Sequence, residues 1–173
     1  EQVFKKGVKC AVVSSSWFRK LSENKKRSFN KYSFVIVNNT VKALGGLANI
    51  HRNKFLIPLL AIGGSNGKTS AKDYIAHVLS QRYNVLKTEG NLNNAFGVPL
   101  TLFRLTDDHA LAVIEVGTNH YDEIKYLCEV SNPQLGLITN IGKEHLEFFK
   151  TVKGVAKAEC ELLEYLSDNF GLF

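Results

Sequence analysis

Residues 63–70, Gly-Gly-Ser-Asn-Gly-Lys-Thr-Ser, combine the groups needed to hold a chain of phosphates. Glycines let backbone N–H groups turn inward around phosphate oxygens, and a helix starting there adds the positive end of its dipole. Lys68 can reach terminal phosphates as a point charge, and the Thr69 hydroxyl is placed to ligate Mg²⁺. The loop is a short variant. The general pattern would put its first glycine at Ile62, and only Gly64-x-x-Gly67-Lys68-Thr69 fits. On this reading Gly64, Ser65, Asn66, Gly67, Lys68, Thr69 and Ser70 bind the nucleotide. A plain strand-to-helix turn with a chance lysine is the competing account.

Three further groups of residues could take part. Glu115 follows Leu-Ala-Val-Ile, so it ends a buried strand at the edge where open α/β sheets bind ligands. An unpaired carboxylate there would be costly to bury, and a solvated strand end is the alternative. Asn91, Asn93 and Asn94 share a loop with Thr88 and Gly90, where asparagines beside glycine also favour simple turns. His145 follows the next strand. Neutral imidazole is an uncommon Mg²⁺ ligand, so the residue alone favours packing or helix capping.

The elements that must position these groups alternate. Residues 59–62 form a continuous apolar run, as expected of a strand buried on both faces. A helix over 68–81, a brief strand at 84–87, a strand at 111–116, a helix at 121–130, a strand at 135–139 and an amphipathic helix at 152–166 follow. Such alternation predicts an α/β fold, a mostly parallel sheet flanked by helices. Before Pro58 the pattern is smaller: strands at 9–13 and 33–37, a turn at 14–16, a basic surface loop at 22–31, and a helix from Asn39 or Thr40 to about 53. The reading is part of a small α/β N-terminal domain over 1–57, then an incomplete phosphate-loop ATPase-like central domain over 58–173. Residues 170–173 read as the start of another strand.

Composition excludes several classes. The chain has 173 residues, 45% of them hydrophobic and 22% charged, which rules out disorder throughout. Its longest apolar stretch, around 55–62, falls far short of the roughly 20 residues a membrane span requires. No secretory leader pattern is present, and three scattered cysteines suit reduced thiols, so a cytoplasmic location is expected. The absence of methionine suggests an internal piece of a longer protein. The net charge of +6 is unevenly placed: residues 1–31 hold nine Lys/Arg against Glu1 and Glu23, and the remainder is close to neutral. A solvated basic face explains this better than nucleic-acid binding, for which no basic-and-aromatic motif is present.

Four ordered blocks sharpen the reading. GSNGKTS at 64–70, KTEGNLNNAFGVPLTLFRL at 87–105, IEVGTNHYDEI at 114–124 and ITNIGKEHLEF at 138–148 resemble the ATP-dependent Mur ligases of peptidoglycan synthesis. The second block is similar to the branch that joins D-alanyl-D-alanine to UDP-N-acetylmuramoyl-tripeptide. The resemblance implies an ATP- and Mg²⁺-dependent amide ligase acting through an acyl phosphate, monomeric, with no nucleic-acid or membrane partner. It implies that Lys68, Glu115 and His145 are catalytic, that Glu115 shares one Mg²⁺ with Thr69, and that His145 ligates a second. Thr88, Asn91, Asn93 and Asn94 would then contact the peptide or sugar of the substrate. Rival readings are another Mur ligase, a folylpolyglutamate synthetase-like ligase, or a non-catalytic phosphate-loop nucleotide module.

The chain also departs from that family. Glu159 stands where members carry a carbamylated lysine that helps hold the second metal, so Glu159 is expected to supply its carboxylate directly. Lys157 lies two residues earlier, on nearly the opposite side of a helix, and cannot simply substitute. Asp122 stands where glycine is common, and Gly63 where threonine is common. The family has three domains: one for the UDP end, one for ATP, and one that closes over ATP with the amine site. This chain would hold the tail of the first and the first part of the second.

Overall fold

The computed structural model describes residues 2–170. It forms two compact units that divide between Leu44 and Gly45, within a helix and before the composition break at Pro58.

In the first unit, α1 (Gln2–Lys5) is followed by β1 (Cys10–Ser14), α2 (Ser15–Arg19), α3 (Glu23–Ser28) and β2 (Ser33–Val37). The two strands pair in parallel, Cys10 opposite Ser33 and Ser14 opposite Val37. The expected turn at 14–16 and loop at 22–31 are short helices instead. Each is started by a serine: the Ser14 hydroxyl accepts the Trp17 N–H at 3.2 Å, and Ser22 accepts that of Lys25 at 3.4 Å. Glu23 in the first turn of α3 also pairs with Lys26 at 2.7 Å. Phe4 stacks on Tyr32, and with Phe29 and Phe34 it forms a small aromatic core.

The connecting helix α4 (Thr40–Arg52) is capped by Asn39, whose side chain accepts the N–H groups of Val41 and Lys42. Its later residues belong to the second unit, where Ala48 is fully buried. Arg52 is buried too. Its guanidinium donates to the carbonyls of Ser131, Phe55 and Ile57 and to the Gln134 side chain, which ties the 53–58 connection to the sheet.

The second unit then runs β3 (Leu59–Gly63), α5 (Lys68–Leu79), β4 (Val85–Lys87), α6 (Gly97–Leu102), β5 (Leu111–Glu115), α7 (Glu123–Ser131), β6 (Leu135–Ile138), α8 (Leu146–Phe149) and α9 (Val152–Phe170). The sheet order is β4-β5-β3-β6, and every pairing is parallel. Alternate residues of the central strands face opposite sides. Leu59, Ala61, Ala112 and Ile114 pack with Leu102, Leu127 and Leu162 of α6, α7 and α9, while Ile62 and Val113 pack with Ala76 of α5. Burial on both faces explains why β3 and β5 read as unbroken apolar runs.

Two sequence expectations change here. The asparagine-rich loop contains the helix α6, started by the Asn94 side chain accepting the Phe96 and Gly97 N–H groups at 3.0 Å each. The last helix continues to Phe170, so that residue does not begin a strand; 171–173 lie outside the described residues. No described helix is long and apolar enough to cross a membrane.

Candidate active site

Parallel pairing places Ile62 beside Glu115 and Gly63 beside Ile138, so the carboxyl ends of β3, β5 and β6 meet at one edge. The loop after β3 takes the backbone conformations that its glycines allow. Gly64 has φ +114°, and a Cβ there would lie 2.4 Å from the Thr139 hydroxyl; Gly67, with φ +79°, starts α5. Segment 139–142, just after β6, holds the loop from the side. Asn140 accepts the Ser65 N–H with its carbonyl at 2.9 Å and the Asn66 N–H with its side chain at 3.2 Å. The Thr139 hydroxyl and Asn140 amide both donate to the Asn66 carbonyl, and Ser65 accepts the Gly142 N–H. Lys68 opens α5 and folds its amine back onto the Gly64 carbonyl, 4.0 Å from Glu144.

Next to this loop, the Thr69 hydroxyl donates to Oε2 of Glu115 at 2.9 Å, and the Asn93 amide donates to its Oε1 at 2.8 Å. Glu115 is buried, and its backbone N–H donates to the Thr88 hydroxyl at 2.9 Å. Thr88 is itself fully buried with that hydroxyl engaged, so it supports the end of β5 from beneath. Asn91 is exposed and forms a tight turn with Asn93, whose N–H donates to its carbonyl. Ser70 is exposed in the first turn of α5.

A cleft of about 270 Å³ lies beside the loop, with Lys68, Asn93, Asn94 and His145 on its walls and Tyr126 and Leu127 among its apolar lining. Thr118, Asn119 and Glu123 also face it. The Glu123 carboxylate fixes that wall by accepting the Thr118 hydroxyl and the N–H groups of Asn119 and His120. His145 starts α8 with φ +46°, its carbonyl accepting the Phe148 and Phe149 N–H groups while its ring stays half exposed. The backbone therefore does the capping and leaves the imidazole at the cleft.

Glu159 comes up from α9 under the loop. Its Oε2 accepts the Gly64 N–H at 2.6 Å, and its Oε1 is buried with no hydrogen-bond partner among the described residues. Burial pushes its carboxyl up to about 7; the Gly64 N–H and Lys68 pull against that shift, and nearby Glu144 adds to it. The same carboxylate explains Gly63, where a Cβ would sit 2.7 Å from Oε2. Lys157 points away, its amine 5.3 Å from the centre of the Tyr121 ring. Asp122 occupies a glycine-favouring conformation, φ +66°, and Glu161 of α9 accepts its N–H at 2.7 Å and that of Lys125 at 3.1 Å. A carboxylate from a distant helix thus caps α7.

The structure therefore brings Lys68, Thr69, Glu115 and Asn93 together, with Asn94 and His145 on the same cleft. Glu159 is kept beneath the loop, and no three His, Cys, Asp or Glu side chains among the described residues gather as a metal cluster. Thr139, Asn140, Glu144, Glu123 and Lys72 were not singled out by sequence reasoning. The first three lie in or beside the ITNIGKEHLEF block, which was the available signal.

Residues 62–172 match the Mur ligase middle domain. The chain is 44% identical over 135 residues to the UDP-N-acetylmuramoyl-tripeptide–D-alanyl-D-alanine ligase of Escherichia coli K12, covering 78% of this chain and 30% of that protein. It is 34% identical over 169 residues to the ligase of the same description from Bacillus subtilis, covering 98% and 35%. A crystal structure of MurF from Acinetobacter baumannii superposes with a TM-score of 0.82 at 32% identity, covering 95% of this chain and 34% of that one. The chain thus spans about a third of the length of these relatives. On these matches, the chain belongs to the Mur ligase family.

Proposed function

We propose that the chain is the nucleotide-activating part of a cytoplasmic ligase that joins D-alanyl-D-alanine to UDP-N-acetylmuramoyl-tripeptide at the expense of ATP. The observation that carries this is the Thr69–Glu115 hydrogen bond at 2.9 Å, beside Lys68 and at the carboxyl edge of the sheet. Residues 1–57 are then the end of the UDP-substrate domain, and 58–173 the first part of the ATP-binding domain.

The chemistry follows from the donors. The N–H groups of 67–69 at the start of α5 and the Lys68 amine receive the phosphate chain, with Lys68 exchanging the Gly64 carbonyl for phosphate oxygens; the N–H groups of 64–66 are held by Glu159 and Asn140 and shape the loop. Thr69 and Glu115 present two hard oxygens, which fits Mg²⁺. When bound there, the ion would neutralise charge as a substrate carboxylate attacks the terminal phosphoryl group. ADP leaves, an acyl phosphate remains, and the incoming amine displaces phosphate to form the amide. Asn93 and Asn94 line the cleft beside Lys68, where the carboxylate-bearing substrate would lie. Neither His145 nor Glu159 belongs to a cluster of three acidic, His or Cys side chains among the described residues.

The test is ADP release by the intact protein. Sustained release is expected only when both the UDP-linked tripeptide and D-alanyl-D-alanine are present, the tripeptide alone giving at most one ADP per site, with loss of at least a hundredfold in Lys68→Ala. Nucleotide hydrolysis that ignores both would instead indicate a nucleotide switch.

A further inference from the structure

Lys72 lies one turn into α5 with its side chain almost wholly buried, 1% exposed. Long ammonium side chains are almost never buried to that degree unless paired. Its amine lies 3.4 Å from the Gly90 carbonyl, 3.9 Å from Oε2 of Glu115 and 3.7 Å from Oδ1 of Asp73. Asp73 is half exposed and already paired with Lys87 at 2.7 Å, which leaves Glu115 as the buried charge facing Lys72. The Glu115 oxygen that Lys72 faces is also the one accepting the Thr69 hydroxyl. Through Gly90, the same amine touches the loop whose Asn93 holds the other Glu115 oxygen.

We infer that Lys72 is a positioning residue for Glu115, a fixed buried cation that balances the carboxylate in the metal-free protein and weakens its hold on a divalent ion. The inference rests on Thr69 and Glu115 being the metal donors. A buried carboxylate with only neutral partners carries an electrostatic cost, and a permanent cation beside it removes much of that cost. An arriving divalent ion takes over the balancing and is repelled by the ammonium that preceded it. Metal affinity and metal-free stability are therefore set against each other by one side chain.

The test uses Mn²⁺ as the probe with the intact protein, without nucleotide, and reads free ion by electron paramagnetic resonance alongside thermal melting. Lys72→Met keeps the length and removes the charge. It is expected to bind Mn²⁺ at least about tenfold more tightly, the floor set by one unit charge acting on a divalent ion across about 6 Å even at the dielectric of bulk water. Its metal-free form should melt below the parent protein, with most of that gap closed by saturating Mn²⁺. Unchanged affinity with an equal loss of melting temperature at zero and saturating Mn²⁺ would overturn the inference. Glu115→Gln is the control: if it leaves Mn²⁺ binding intact, the metal reading of Thr69 and Glu115 fails, and the metal half of this inference with it. The charge pairing is judged separately by the Lys72→Met/Glu115→Gln double variant, expected to melt above Lys72→Met without metal. A double variant no more stable than the single one overturns the pairing, including where Lys72→Met alone does not fold.

Discussion

Glu159 makes the stability of the phosphate loop depend on pH in a direction opposite to that of a salt-bridged carboxylate. Its folded-state value of about 7 lies above the ordinary carboxylate value of 4.5. The native state therefore holds the proton more tightly than the unfolded chain. The stabilisation is complete below the unfolded value and is lost as pH rises through the folded one. The full span is worth about 3 kcal/mol, at about 1.4 kcal/mol for each pH decade between the two values. Between about pH 5.5 and pH 8 the same linkage gives a loss of about 2 kcal/mol. Glu159→Gln should remove this dependence while keeping an oxygen for the Gly64 N–H, now bonded at 2.6 Å. Other carboxylates titrate in both proteins, so the quantity to measure is the difference between the two. Denaturant unfolding of the intact protein, free of nucleotide and Mg²⁺, should show the Gln variant gaining about 2 kcal/mol on the parent from pH 5.5 to pH 8. A difference that stays flat, or that moves in the parent's favour, would refute the burial argument for Glu159.

Other side chains yield sharper local expectations. Arg52→Met strips donors from three carbonyls and the Gln134 side chain, one of these bonds buried and three partly buried, and should cost about 2 kcal/mol in a urea midpoint measurement. Gly64→Ala forces a Cβ to 2.4 Å from the Thr139 hydroxyl at a φ that side chains rarely adopt, and calorimetry should show nucleotide binding lost. Asp122→Gly relieves a left-handed residue without touching the Glu161 cap, and should raise stability by a few tenths to about 1 kcal/mol in the same urea assay.

How much of this could be read from the chain depends on whether the partners are neighbours in sequence. The glycine loop, Lys68 and Thr69 are contiguous, so their spacing alone was enough to mark a candidate phosphate site. Glu115 was legible because an acid ending an apolar run must sit at a strand edge, and the β3–β5 register puts it beside that loop. Thr88 reads only as part of the asparagine-rich loop, because the partner of its hydroxyl, the Glu115 N–H, lies 27 residues away in the chain. Lys72 looks like any helix-surface lysine, because burial of its amine depends on β5 and the 90–94 loop packing over α5. The short helices α2, α3 and α6 escaped notice for a local reason. Each is about one or two turns long and is started by one polar side chain, too short for a hydrophobic period to emerge. Two family departures, Gly63 and Glu159, turn out to be one feature, since the second fills the space that a side chain at the first would need.

On the function proposed above, the site at the ends of β3 and β5 activates a carboxylate by phosphorylation. The most direct measurement places a heavy-oxygen label in the terminal carboxylate of the UDP-linked tripeptide and follows it during turnover by the intact protein with ATP, Mg²⁺ and D-alanyl-D-alanine. An acyl phosphate requires one labelled oxygen to leave in inorganic phosphate for each amide formed. Label appearing in AMP, or phosphate that stays unlabelled while amide accumulates, would contradict the account.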